Sequence, residues 1–331
     1  FDKISLVHPE RTRSKETLSF KQKLFHLSQR AVANKGYLEA VTWSFTDSRI
    51  DKQFSQGKKE IEIINPISSD LNVMRTSIFS NLIIYLKKNQ DRGYIDISLF
   101  EIGPTFFGNK PGEQQTVLGG LKSGVSNRKN WVSKPRNIDV FDVKADAMKT
   151  LIELGIKEDD FFINNKTPDY YNPGRSGSIY LKSANGPQLA FFGEIHPAIV
   201  SNIDLKEQNI CGFEVFIKNI PEPEKKYRLT KRNYSVSEFQ KSERDFAFVI
   251  DKNIKAGDIE KLISEVDKKL IKKVLIFDVF EGGNMPEGKK SLAVNVIIQS
   301  MDKTLSEKDI GEVSQKIIDI VKAKVGGTIR S

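Results

Sequence analysis

The sequence predicts an α+β protein in two modules: an antiparallel α+β region over 1–217, a basic linker over 218–236, and a βαββαβ module over 237–331. Three observations predict it. Strand-like and helix-like segments mix in the first region without the regular alternation of a parallel sheet. Periodicity stops at 218–236, where Pro221, Pro223 and the run KKYRLTKR stand. Beyond Ser237 the order is strand, helix, strand, strand, helix, strand.

In the first module, Ser14–Asn34 has helical spacing, with Leu18, Leu24, Phe25, Leu27, Ala31 and Val32 on one side and Gly36 at the stop. Leu38–Phe45 alternates as a half-buried strand, and Glu60–Ile64 is a strand ended by Asn65-Pro66. Ile78–Lys88 is an amphipathic helix that Thr76 or Ser77 is placed to cap. Strands at Ile95–Ile102 and Val117–Leu121 precede an exposed loop, Lys122–Asn137, and a helix at Asp139–Gly155. Ser178–Leu181 and Leu189–Ile195 flank Asn185-Gly186, a hairpin signal. Phe213–Ile217 is the last strand here.

In the second module, Phe246–Ile250 is a strand and Ala256–Lys269 a helix. Val274–Glu281 and Ser291–Gln299 are strands joined across GGNMPEGKK, Glu307–Lys324 is a long helix, and Thr328–Arg330 a short strand. That order is the split-βαβ, ferredoxin-like topology, which assigns no function by itself.

The chain of 331 residues carries a formal charge of +9 and a pI near 9.3, which favours a polyanionic partner. The excess lies outside the last module: residues 234–331 are net +1 and the others net +8, mostly in Lys3–Lys35 and Lys225–Arg232. One cysteine, Cys211, excludes an internal disulfide and fits a reducing compartment. That thiol and three histidines, His8, His26 and His196, cannot supply a zinc site of the usual four-ligand kind. No apolar run approaches the ~20 residues of a membrane span, and no signal peptide is expected. The chain opens at Phe1 without a methionine, and its first residues read as the interior of a longer protein.

The stretch NPISSDLNVMRTSIFSNL followed by LFEIGPTF is the most informative. It brings Arg75 and Glu101 to one sheet edge, as a nucleotide or amino-acid cleft would. Glu101 shares a strand face with Ile95, Ile97 and Leu99, so it points inward and wants a partner. Arg75 is the candidate, either as a leftover cleft residue or as a structural arginine paired with Asp70 or Glu101. The segment that follows, Pro104-Thr105-Phe106-Phe107, offers no cation for phosphate chemistry. His196 and Arg175 sit in the loops GEIHP and NPGRSG, with His196 read as shaping a turn.

These marks, with RAVANKGYLEAVTWSF, NPGRSGSIYL, FFGEIHP, SEFQKSERDFAFVI, LIFDVFEGGNMPEGKKSLAVNVIIQ and the ending GGTIRS, resemble the C-terminal half of the bacterial phenylalanyl-tRNA synthetase β-subunit family. The resemblance implies a class II synthetase-like but non-catalytic core over 1–217 and a ferredoxin-fold anticodon-binding domain over 237–331. It implies partners: a catalytic α subunit, in an (αβ)2 heterotetramer in the cytoplasm, and tRNA(Phe), with neither DNA nor a membrane. ATP, Mg²⁺ and phenylalanine would be bound by the α subunit, and this fragment would hold no cofactor or metal. The family's metal-binding carboxylates, editing domain and N-terminal tRNA-binding domain would lie before Phe1. In the related α subunit the strand matching LFEIG leads into a basic residue that holds the ATP α-phosphate. Phe107 stands there instead, and a benzyl ring cannot neutralise phosphate oxygens. No catalytic residue is therefore expected, and Arg75, Glu101 and Phe107 mark a pseudo-active-site cleft.

For RNA, the two central strands of the last module offer no aromatic pair on their open face, so base stacking there is poorly supported. Candidate tRNA contacts lie at the edges: Phe239, Lys241 and Arg244 before the first strand, Lys289, Lys290 and Ser291 after the glycine turn, and Arg330 at the end. Lys268, Lys269, Lys272 and Lys273 read as a solvated face, and Arg244-Asp245 as a possible local ion pair. Two rival functions stand beside this one: a ligase with its own ATP site, and an amino-acid-sensing βαββαβ module on an inactive scaffold.

Overall fold

A computed structural model gives the fold. It describes residues 2–5, 7, 17–127, 129–206, 209–222, 235–283 and 285–330. His8 and the basic run at 225–232 lie outside them. Two compact units separate at residues 224 and 225.

Unit 1 begins with α1 (Phe20–Ala33), shorter than the periodicity suggests because Ser19 closes a capping box with Gln22. Then come β1 (Leu38–Glu39), β2 (Phe45–Thr46), α2 (Ser48–Asp51), β3 (Ile61–Glu62), β4 (Val73–Met74) and α3 (Phe79–Asp91). The rest is β5 (Ile97–Phe106), β6 (Gln114–Ser123), α4 (Val140–Glu153), β7 (Phe161–Asn164), β8 (Tyr171–Leu181), β9 (Gln188–Ile195), α5 (Pro197–Asn202) and β10 (Ile210–Phe216). Seven strands form one sheet in the order β1-β5-β6-β10-β9-β8-β7, antiparallel except for the β1–β5 pair. A small sheet, β2-β4-β3, stands beside it.

Both faces of the large sheet are covered. Phe100, Ile102, Leu118, Phe213 and Val215 pack with α1 and α4 residues such as Leu24, Val143 and Leu151. Ile97, Leu99, Val117 and Leu121 pack with Leu82, Ile83 and Leu86 of α3 and with Ile199 of α5. Burial on both sides explains why LFEI reads as a continuous apolar run with one carboxylate in it.

Leu38–Phe45 is not one strand. Ala40 N bonds Phe100 O at the large sheet, while Phe45 pairs with Met74 in the small one, so the chain crosses between sheets. Leu38, Val41 and Trp43 consequently stay exposed. For α3, the Ser77 hydroxyl accepts the Phe79 N–H at 3.1 Å, whereas Thr76 turns to Asp51.

Unit 2 contains β11 (Ser242–Asp251), α6 (Ala256–Ser264), β12 (Ile271–Phe280), β13 (Lys289–Ile298), α7 (Glu307–Val325) and β14 (Thr328–Ile329). Its antiparallel sheet runs β12-β13-β11-β14. Phe246, Phe248 and Ile250, with Leu292, Val294, Val296 and Ile298, bury against Ile259 and Ile263 of α6 and Val313, Ile317 and Val321 of α7. Ser306 and Asp309 form a capping box for α7, and Gly326 ends it at φ 65°, a left-handed cap that disfavours a side chain. Helix α6 stops earlier than Lys269 because Asp267 accepts the Lys269 and Leu270 N–H groups in a turn.

Candidate functional site

In unit 1, Arg75 follows β4 and its backbone is tied on both sides, N to Ser44 O and O to Phe106 N. Its side chain is 1% exposed. Nε donates to Pro104 O at 2.9 Å, and Nη1 donates to Glu101 Oε1 at 2.7 Å and Thr42 Oγ1 at 2.9 Å. Thr42 in turn donates to Glu101 Oε2 at 2.7 Å. A Cβ on Gly103 would meet the guanidinium Nη2, so glycine is what lets the fork lie against β5. Asp70, the other partner considered, is exposed and lies 3.8 Å from Arg49 instead. An incoming anion would have to displace a buried carboxylate already paired to this arginine. Phe107 lies past the end of β5, half exposed, with its N–H on Glu113 O.

Behind this ion pair lies a carboxylate that sequence reading missed. Glu214 is a lone acid in the apolar strand CGFEVF, and β10 points it to the α3 side. It accepts hydrogen bonds from Tyr170 Oη at 2.6 Å, Ser77 Oγ at 3.1 Å and Tyr171 Oη at 3.4 Å. Burial pushes its pKa up, opposed by the hydrogen bonds from Tyr170 and Ser77. Both tyrosines are themselves held well above the ordinary phenol range, by burial first and then by the negative Glu214. Their rings pack on Phe79, with centroids 6.1 and 5.9 Å away, and Tyr170 also meets Phe54 at 5.5 Å. Aromatic side chains thus occupy the ground between α3 and the sheet beside the Arg75 frame.

Asp51 is a third buried acid, accepting from Thr76 N, Thr76 Oγ1 and Ser80 Oγ at 2.9, 2.9 and 2.7 Å. Burial raises its pKa as well. Among the described residues no cluster of acids, histidines and cysteine has the make-up of a metal site. Arg175 Nη1 pairs with Glu194 Oε2 at 3.0 Å, and His196 Nδ1 accepts the Ala198 N–H at 3.2 Å as the cap of α5. Arg175 lies within β8 rather than in a loop, so its pair ties β8 to β9, whereas His196 fixes the turn into α5.

A groove of about 920 Å³ opens elsewhere on unit 1, walled by Trp43, Phe45, Asn81, Tyr85 and Ile84. Trp43 and Phe45 stack at 6.2 Å. At its rim Arg49 pairs with Asp47 and Asp70 and Lys87 with Asp91, while Lys88 Nζ stands over the Tyr85 ring, 4.9 Å from its centroid.

Unit 2 does not gather the seven candidate contacts into one site. Ser242 pairs with Ile298, whereas Asp251 pairs with Lys289. Six to nine residues of strand, roughly 20–30 Å, therefore separate the Lys241–Arg244 end from the Lys289–Lys290 end. Most of the cations are engaged: Lys241 with Glu243 at 2.8 Å, Arg244 with Glu307 at 3.2 Å, and Lys289 with Asp251 at 2.7 Å. Lys290 donates to Lys252 O at 3.0 Å. Arg244 pairs with Glu307, so the local pair with Asp245 does not form; Asp245 takes Asn295 Nδ2 instead. Ser291 is buried and offers no contact surface. The aromatic side chains sought on the central strands stand exposed on the edge strand β12, as Phe277 and Phe280. The Arg330 guanidinium lies over the Phe280 ring, 5.1 Å from its centroid. Bulges after Ile271 and Ile276 break the period-2 pattern there, which is why alternation missed these rings.

The phenylalanyl tRNA synthetase beta chain CLM domain model matches residues 4–217, and the ferredoxin-fold anticodon binding domain model matches 237–330. The chain belongs to the phenylalanyl-tRNA synthetase beta chain family. It is 40% identical over 302 residues to the phenylalanine–tRNA ligase beta subunit of Paramagnetospirillum magneticum, covering 91% of this chain and 37% of that one. Identity is 39% over 309 residues with the Brucella abortus subunit (92% and 38%) and 38% over 332 with that of Rhodospirillum rubrum (100% and 41%). The chain thus spans about two-fifths of the length of these relatives. Among solved structures, a pyrrolysyl tRNA synthetase from Desulfitobacterium hafniense matches with a TM-score of 0.45 at 12% identity, over 60% of this chain and 66% of that one.

Proposed function

We propose that this chain serves phenylalanine–tRNA ligase as a non-catalytic scaffold and RNA-binding piece. Residues 1–217 form a class II-like framework that docks a catalytic α subunit, and residues 237–331 bind tRNA(Phe). The reaction served is L-phenylalanine, ATP and tRNA(Phe) going to phenylalanyl-tRNA(Phe), AMP and pyrophosphate. ATP, Mg²⁺ and phenylalanine belong to the α subunit, in a cytoplasmic (αβ)2 assembly.

The observation that carries the non-catalytic reading is the closed Arg75–Glu101–Thr42 network. Phosphoryl and adenylyl chemistry needs positive charge free to meet developing negative charge. Here the guanidinium already answers a carboxylate, a hydroxyl and a carbonyl, and Phe107 adds no charge. The Trp43–Phe45 groove supports docking of a protein partner: its wall is aromatic and its rim mostly charge-paired, which suits a largely neutral surface. For RNA, Phe277 and Phe280 give stacking surfaces, with Arg330 and the exposed Lys272 and Lys273 as cations.

Copurification with the catalytic subunit, followed by charging assays with and without residues 237–331, tests both roles. Titration calorimetry of the chain alone with ATP–Mg²⁺ and phenylalanine should give no binding heat, and stoichiometric saturation would overturn the non-catalytic reading. Lys241→Ala and Lys289→Ala should each lower the salt slope of tRNA binding by about 1. An unchanged slope in both removes them from the contact set.

A further inference from the structure

Between β6 and α4, residues 126–127 and 129–137 belong to a connection that neither role above employs. Its base is built. Ser126 N bonds Arg136 O at 2.9 Å, Val125 bridges Asn137, and Ile138 N bonds Gly124 O at 3.1 Å. Arg136 is consumed as a fork on Asp142, at 2.8 and 2.7 Å. At the tip, Asn130 Oδ1 accepts the Val132 and Ser133 N–H groups at 2.9 and 2.8 Å. Held in that turn, Trp131 is 97% exposed. An indole carries large apolar area, and the fold buries almost none of it.

The surroundings favour a nucleic acid over a protein. Lys129 and Lys134 flank Trp131 in sequence, both exposed, and neither has an acidic partner among the described residues. Residues 129–138 contain no Asp or Glu. Val132 is exposed beside the indole, but no further apolar rim surrounds the pair within the loop. An exposed indole with two uncompensated lysines within three residues of it in the chain is the make-up of a stacking platform for single strands. Paired bases in an A-form helix present no free face, so the occupant is an unpaired one.

We infer that the loop at 129–134 is an RNA contact separate from residues 237–331, in which Trp131 stacks on an unpaired base while Lys129 and Lys134 hold the flanking phosphates. The inference stands apart from the anticodon reading, and the test separates the two.

The chain has two tryptophans, so Trp43→Phe leaves Trp131 as the only one emitting. In that variant, oligoadenylate and tRNA should quench the emission saturably, less so as salt rises. Trp131→Ala should weaken oligoadenylate binding, read by anisotropy of labelled RNA, roughly 5- to 150-fold, the range that stacking of one base supports. Trp131→Phe should restore most of it, and Lys129→Ala/Lys134→Ala should flatten the salt dependence. RNA binding with unchanged Trp131 emission, or a Trp131→Ala affinity within twofold of the parent, would overturn the inference and leave the anticodon reading standing. So would absence of any oligoadenylate binding, or an emission change seen only with the catalytic subunit, which would assign the loop to a protein. Quenching that persists while Lys241→Ala and Lys289→Ala change nothing would uphold the loop and remove those two lysines from the contact set.

Discussion

Replacing Arg75 by methionine keeps the length of an apolar side chain while removing three hydrogen bonds and, among the described residues, the only cation paired to Glu101. Glu101 is 4% exposed, so its charge cannot reach water, and Thr42 remains its one donor. Leaving one partner of a buried ion pair uncompensated costs roughly 3–5 kcal/mol. For a unit of this size that lowers the melting temperature by roughly 6–20 °C. The assay follows from composition: residues 235–331 contain neither tryptophan nor tyrosine, so tryptophan emission during urea or thermal unfolding reports unit 1 alone. Arg75→Met/Glu101→Gln removes the stranded charge and should recover part of the loss, a coupling that a double-mutant cycle measures. If Arg75→Met unfolds within about 1 kcal/mol of the parent, the guanidinium is not committed to the fold, and its unavailability to a phosphate loses its support.

Glu214→Gln should change how stability depends on pH. The folded-state pKa of Glu214 lies above its ordinary value of 4.5, so the folded chain keeps a proton that the unfolded chain has released. Stability is therefore lost as pH rises from the unfolded to the folded value, each unit of displacement costing about 1.4 kcal/mol. The glutamine variant lacks this term and should gain on the parent as pH rises through that window; a pH-independent difference would contradict it. Cys211, whose thiol burial pushes up to about 12, should not react with a disulfide reagent at pH 8 until urea unfolds unit 1. Gly103→Ala should destabilise unit 1 by about 1–3 kcal/mol, and the cost should shrink in an Arg75→Met background, where the colliding guanidinium is gone.

Element order was readable because most segments bury in regular patterns. The α7 stripe Ile310–Val313–Ile317–Val321 and the alternating β13 positions face one core, and their spacing reports it. Leu38–Phe45 misled because its alternation spans a crossing between two sheets, leaving Leu38, Val41 and Trp43 in water. Phe277 and Phe280 went unseen because β12 has two bulges, each of which resets the alternation. The edge cations were legible in sequence as candidates, but that β11 sets Lys241 and Lys289 towards opposite ends of its length was not.

What residue order alone determined was the family and the element order of the ferredoxin-like part, since each rests on local spacing or on residue identity. Which charges are available was decided only by tertiary structure. Arg75 and Glu101 are 26 residues apart, Ser77 and Glu214 are 137, and a hydrogen bond between such groups depends on where strands lie side by side. A charge's freedom is a property of its neighbours in space, and those neighbours come from distant parts of the chain.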